Sequence, residues 1–161
     1  MRVLVVSDTH GKDKGLMNVI EYEKDIGLMI HLGDLCGLED YITEITGIPC
    51  YMVRGNNDYR SLLPSESIIM LGKHRTFITH GHELGVSYGT RDLKHYALGL
   101  ECDIAMYGHT HYPEIVDDGR ITIVNPGSLT YPRQPGHEPS YVIADVDDKG
   151  DVNFTVKYLH E

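Results

Sequence analysis

Val3-Leu4-Val5-Val6-Ser7-Asp8-Thr9-His10 is an apolar run of strand length that ends abruptly on a carboxylate and an imidazole. Four more stretches have the same design: Leu28-Met29-Ile30-His31-Leu32-Gly33-Asp34, Tyr51-Met52-Val53-Arg54-Gly55-Asn56-Asn57-Asp58, Phe77-Ile78-Thr79-His80-Gly81-His82 and Ile104-Ala105-Met106-Tyr107-Gly108-His109-Thr110-His111. Continuous apolar runs of this length suit strands buried on both faces. Ligands of α/β sheets collect beyond the carboxyl ends of the strands, so five strand ends are expected to converge on one place.

Between these runs the pattern changes to a helical period. Leu16, Val19 and Ile20 share one helical face; Leu38, Tyr41, Ile42 and Ile45 share another, with Gly47 placed to stop that helix. The first half therefore reads as βαβαβ, which makes a parallel sheet. Ile68 to Met70 and Thr76 to Thr79 flank Leu71-Gly72-Lys73 as a hairpin. A third helix is expected to start with Thr90 as N-cap and Asp92 in its first turn, burying Leu93, Tyr96, Ala97 and Leu100. Turns at Asp117-Asp118-Gly119 and Asp147 to Gly150 make the C-terminal part mostly hairpins, suggesting a second, largely antiparallel sheet. The fold class expected is α/β, a layered α-β-β-α sandwich of two mixed sheets forming a single domain over residues 1–161. The stretch from Tyr131 to Pro139 reads as an exposed connection without a catalytic role.

Composition narrows the function. With 161 residues, 41% of them hydrophobic, the chain is long enough for one sizeable core. A formal charge of -10 argues against broad binding to nucleic acid or anionic membranes, so any phosphate recognition has to be local. Cys36, Cys50 and Cys102 are odd in number and form no CxxC pair, which suggests neither a disulfide framework nor a cysteine zinc site. The apolar run after Met1-Arg2 is too short for a signal peptide and no stretch is long enough to span a bilayer, so a soluble, cytoplasmic protein is expected.

Asp8-x-His10 and His109-x-His111 place partners two residues apart, which in extended backbone turns their side chains to the same side. Taken with Gly33-Asp34, Gly55-Asn56-Asn57-Asp58 and His80, the ordered set resembles the calcineurin-like metallophosphoesterases, in particular their small bacterial and archaeal phosphodiesterase branch, which also includes the Vps29 retromer subunit. The resemblance spans nearly the whole chain, including Asn125-Pro126-Gly127-Ser128, which by itself reads as a turn.

The resemblance implies that Asp8, His10, Asp34 and His111 hold one divalent metal and that Asp34, Asn56, His80 and His109 hold another, with Asp34 bridging. Manganese is the expected ion, with nickel, iron, cobalt or zinc as alternatives suited to the same mixed ligands. It further implies a phosphodiesterase that hydrolyses small phosphodiesters by attack of a hydroxide held between the metals. Asn57 stands where many relatives carry a proton-donating histidine; an amide hydrogen-bonds phosphate but supplies no proton, so turnover is expected mainly for good leaving groups such as nitrophenolate. Asn57 and His82 are the candidate catalytic contacts. His31 is expected to pack beside Asp34, and Arg54 either steers phosphate or braces Asp58. A small phosphodiester is the expected partner, with no membrane and no nucleic acid, and a homodimer is compatible with the sequence. The alternative is a catalytically weak or idle protein-binding scaffold on the same fold.

Overall fold

The computed structural model describes residues 1–160. Ten strands and three α-helices follow one another as β1 (Arg2–Val6), α1 (Lys14–Tyr22), β2 (Ile26–His31), α2 (Glu39–Thr46), β3 (Cys50–Met52), β4 (Glu66–Leu71), β5 (His74–Thr79), α3 (Arg91–Gly99), β6 (Ile104–Met106), β7 (Glu114–Asp117), β8 (Thr122–Asn125), β9 (Ser140–Val146) and β10 (Val152–Tyr158). The strands form two five-stranded sheets, ordered β10-β9-β1-β2-β3 and β4-β5-β6-β8-β7. Each sheet has a parallel heart, β1-β2-β3 in one and β5-β6-β8 in the other, bordered by antiparallel strands.

The apolar run of β1 shows why the layers stack as they do. Successive side chains of a strand face opposite ways. Val3 and Val5 join Ile30, Ile69, Ile78, Met106, Val124 and Val142 in a core that both sheets share. Leu4 and Val6 point the other way, onto Leu16 and Val19 of α1 and Ile42 of α2. On the outer face of the second sheet, Phe77, Ala105 and Ile123 pack under Leu93 and Ala97 of α3. The expected α-β-β-α layering is thus what the alternation of each strand requires, with each fully buried Val or Leu contributing roughly 1.5–3 kcal/mol.

The helices obey their local signals in part. Gly47 ends α2 in the left-handed region (φ 63), as a glycine C-cap should. Thr90 occupies the N-cap of α3, yet its side chain makes no capping hydrogen bond. Tyr96 of that helix is largely exposed, its hydroxyl donating to Glu66 rather than entering the core.

Two expectations are corrected. The second sheet is not the largely antiparallel product of the C-terminal hairpins, because α3 crosses between β5 and β6 and makes them parallel. Of the hairpins, only β7-β8 joins that sheet; β9-β10 returns to the first sheet, with β9 antiparallel to β1. The reason lies in β9 itself: Val142 and Ala144 reach the shared core while Tyr141 and Ile143 reach the helices, and a position beside β1 covers both faces. The connection from Tyr131 to Pro139 is also more than an exposed link. Gln134 is buried, its Nε2 donates to Glu138 O, and the loop's backbone reaches into the site described next.

Candidate metal centre

The segments after β1, β2, β3, β5 and β6 meet at one end of the two sheets, and backbone hydrogen bonds lace them together. Asp8 N donates to Gly33 O (3.0 Å), His10 N to Asp34 O (2.9 Å) and Gly108 N to His80 O (3.1 Å). Gly33, Gly55 and Gly108 make this approach possible. A methyl group at Gly55 would collide with the Asp34 carboxylate, one at Gly108 with Ser7 Oγ and Asp8, and one at Gly33 would lie 2.7 Å from His80 Nδ1.

Asp8, His10, Asp34, His109 and His111 all have positive φ, between 49° and 68°. This corrects the expectation of extended backbone around the two triplets: the outer residues of each take left-handed backbone, Asp8 and His10 stay together, and His109 and His111 turn to different neighbours. His111 turns toward Asp8 and His10, while His109 turns toward Asn56 and His80. Non-glycine residues in this region cost roughly 1 kcal/mol or more each, and such strain collects at functional sites.

The chemistry is read from which atoms are left without a proton. Asp8 Oδ2 accepts from Ser7 Oγ (2.6 Å) and His109 N (3.0 Å), whereas the buried Oδ1 has no hydrogen-bond partner. Its nearest polar neighbours are His111 Nε2 at 3.0 Å, His10 Nε2 at 3.7 Å and His80 Nε2 at 3.8 Å. Both His111 and His80 are tethered on their other nitrogen: His111 Nδ1 donates to Tyr131 O (2.7 Å) and His80 Nδ1 to Leu32 O (2.6 Å). A carbonyl can only accept, so each neutral ring carries its proton on Nδ1 and turns a bare Nε2 lone pair inward. Carboxylate oxygens and imidazole lone pairs that face one another repel unless a cation sits among them. The donor set therefore fits divalent metal.

Asp34 links the two halves. Its Oδ2 lies 3.7 Å from His10 Nε2 and 3.5 Å from His80 Nε2, positions suited to a carboxylate that serves two ions. Two overlapping ligand groups result, Asp8 with His10 and His111, and Asp8 with Asp34 and His80. Asn56 completes the second half: its Oδ1 lies 3.0 Å from His80 Nε2 and 3.1 Å from His109 Nδ1. All seven residues named from the motifs come together.

Protonation follows the same electrostatics. Burial alone would raise the carboxyl of Asp8, but the imidazoles of His10, His111 and His80 hold it far below the usual range. Asp34 is likewise pushed up by burial and pulled down further, to about 2, by His80 and by the amide hydrogen bonds of Asn57. Burial disfavours charge on His80, yet the bond to Asp34 and the charges of Asp8 and Asp34 prevail, so its pKa is raised. His109 is lowered, by burial first and by the charge of His80 next. Such a centre attracts a cation of some kind, proton or metal.

The remaining candidates divide. Asn57 Nδ2 donates to Asp34 Oδ2 (2.7 Å) and its backbone N to Asp34 Oδ1 (2.9 Å), so its amide grips the Asp34 carboxylate. His82 lies at the edge, its ring 5.4 Å from His80 and 6.1 Å from His109, and its buried Nδ1 has no partner. Burial and the charge of His80 lower its pKa, with Arg54 contributing in the same direction. Asp58 is braced by the backbone amides of Cys36 and Gly55, a task that needs no Arg54. His31 is fully buried behind the site: Gly33 N donates to its Nδ1, so Nε2 carries the proton and donates to Thr9 Oγ1.

The motifs do not reveal the parts played by Asn125 and Ser128. Asn125 Nδ2 donates to Gly108 O and Thr110 Oγ1, steadying the turn that carries His109 and His111. Ser128 Oγ donates to Asp8 O and accepts from Thr130 N and Tyr131 N, so one hydroxyl ties the Asp8 turn to the loop that tethers His111. The signal available in the sequence was the run of small polar residues directly after β8.

An α-β-β-α sandwich whose strand ends gather oxygen and nitrogen donors with lone pairs facing inward is a scaffold suited to binding metal. Residues 1–149 match the calcineurin-like phosphoesterase superfamily domain, and the chain belongs to that family. It is 33% identical over 153 residues to a probable metallophosphoesterase of Methanothermobacter thermautotrophicus, covering 91% of this chain and 87% of that one. Among solved structures, a predicted phosphoesterase from Streptococcus pneumoniae superposes with TM-score 0.81 at 29% identity, covering 98% of this chain and 88% of the other. Wild-type Vps29 of Entamoeba histolytica, solved with zinc, superposes with TM-score 0.76 at 26% identity, covering 98% and 99%.

Proposed function

We propose that the chain is a dinuclear metal-dependent phosphodiesterase acting on small phosphodiesters, with manganese as its activating ion. The observation that carries this reading is the orphaned Oδ1 of Asp8 faced by three imidazole nitrogens, with Asp34 Oδ2 within 3.7 Å of both His10 and His80. When bound, a pair of divalent cations supplies Lewis-acid stabilisation of phosphoryl charge and acidifies a water. Asp8, His10, Asp34 and His111 would hold one ion and Asp34, Asn56, His80 and His109 the other.

The chain's own residues do the rest. Two carboxylates against two dications leave net positive charge at the centre, which suits an anionic diester despite the acidity of the whole chain. Asn57 orients Asp34 and offers an amide at the mouth of the site, but no acidic proton. His82, with its pKa lowered by burial and its Nδ1 unpartnered at the edge of the site, offers substrate a hydrogen bond rather than a proton. Free thiols at Cys36, Cys50 and Cys102 suit a reducing, cytoplasmic setting.

Asn57 also favours a second reading, the Vps29-like scaffold: a site that keeps its metal ligands yet lacks a proton donor at this position suits a protein that binds metal with little turnover. One assay separates the two. Hydrolysis of bis(nitrophenyl) phosphate is expected to be stimulated by manganese, abolished by chelator and lowered at least about 10³-fold in Asp34→Asn. Two metals per chain with no manganese-stimulated turnover would select the scaffold.

A further inference from the structure

Lys12 lies two residues beyond His10, and its ammonium sits 4.6 Å from the centroid of the Tyr131 ring. That ring packs edge-on against His10, with centroids 5.4 Å apart. The backbones of both are fixed. Lys12 N donates to Thr9 O and Gly11 N to Leu35 O, while Tyr131 N donates to Ser128 Oγ and Tyr131 O accepts from His111 Nδ1. Together the two separations put the ammonium within about 10 Å of the His10 ring, inside the reach of a small substrate.

In a chain of net charge -10 carboxylates are plentiful, and Lys73, Lys94 and Lys157 pair with Asp151, Asp118 and Glu23. Among the described residues Lys12, like Lys14, Lys24 and Lys149, forms no ion pair with a carboxylate, and what sets it apart is its seat on an aromatic ring. Its side chain is exposed and so is nearly half of Tyr131, so the ammonium keeps open directions in which to donate. A cation held at the rim, on the His10 side and apart from the metal ligands, has no role in holding a metal. Its position suits a negative group that the scissile phosphate itself does not supply.

We infer that Lys12, seated on Tyr131, is a specificity residue that binds a second anionic group of the substrate, a carboxylate or a further phosphate, on the arm lying toward His10. The inference rests on the phosphoester reading of the centre. The substrate class it selects is a phosphodiester carrying an additional negative charge a few bonds from the scissile phosphorus. Lysine serves here as a compact point charge, tolerant of either anion.

Calorimetric binding to the manganese-loaded protein tests this without turnover. The probes are phenylphosphonate, 4-phosphonobenzoate and benzene-1,4-diphosphonate, which share one phosphonate and differ in the second group. Wild-type protein is expected to bind one or both of the doubly anionic probes about 5- to 10-fold more tightly than phenylphosphonate. Which of them gains more tells carboxylate from phosphate. In Lys12→Met the preference should shrink to within about twofold, in Lys12→Arg most of it should persist, and both variants should retain the wild-type metal content. Equal binding of all three probes by wild type, or a preference that survives Lys12→Met, overturns the inference and leaves the phosphoester reading intact. Failure of all three to bind overturns both.

Discussion

The two halves of the metal centre are built to different standards. Around Asp8, His10 and His111 nearly everything is buried and tethered: Asp8 O accepts from Ser128, Asp8 Oδ2 from Ser7 and His109, and His111 is held by Tyr131 O. In the other half only His80 is so held, through Leu32 O. Asn56 is exposed and His109 partly so, and the side-chain hydrogen bonds they show are with each other and with His80. In the proposed dinuclear centre, one ion site would be fixed by the fold and the other completed at the surface. Ligands whose other atoms are bonded lose less entropy on metal binding and hold the ion more tightly.

Asp34→Asn should produce the largest effect, since Asp34 is the carboxylate proposed to serve both ions. Loss of both ions and a fall in turnover of at least about 10³-fold are expected, read by elemental analysis and by hydrolysis of bis(nitrophenyl) phosphate. Retention of one ion would show that the halves are more independent than the shared carboxylate suggests. Asn56→Ala should separate them: metal content should fall toward one ion per chain, and affinity for the second should weaken about 10- to 100-fold or more. If chelator strips both ions from the wild type in a single phase, the proposed inequality of the halves is wrong. Ser128→Ala should weaken the other ion, by about 10-fold, because it loosens the Asp8 turn and the Tyr131 carbonyl together; an effect confined to the Asn56 half would reverse the assignment.

The last effect concerns stability behind the centre. His31, fully buried, has its pKa lowered by burial to about 4 from an ordinary value of 6.5. Below pH 6.5 the unfolded chain therefore binds a proton at this position that the folded chain refuses. The stabilisation is complete above pH 6.5 and is lost as pH falls toward 4, by about 3 kcal/mol in total. Chemical denaturation in chelator across this window should show that slope for the wild type and a flatter one for His31→Gln. Equal slopes would mean that His31 takes up its proton without penalty.

Much of this was legible before any coordinates. Apolar runs ending in Asp, His or Gly-Asp set out β1, β2, β3, β5 and β6, and the same five endings named the seven side chains that the fold gathers. These signals are local: a buried strand needs continuous apolar residues, and a metal needs oxygen and nitrogen donors whatever the order of strands. The left-handed backbone at Asp8, His10, Asp34, His109 and His111 was not legible, since aspartate and histidine adopt that conformation only where neighbouring hydrogen bonds compel it.

The amino-acid sequence by itself determined the layer architecture and the chemistry of the donors, because alternation and side-chain type belong to each segment alone. Tertiary structure decided the rest. It placed β9 beside β1, aimed bare nitrogens of His80 and His111 inward by engaging their other nitrogens with Leu32 and Tyr131, and brought Lys12 onto the Tyr131 ring. Each of these depends on a partner distant in the chain, and only the folded packing of both sheets settles which partner that is.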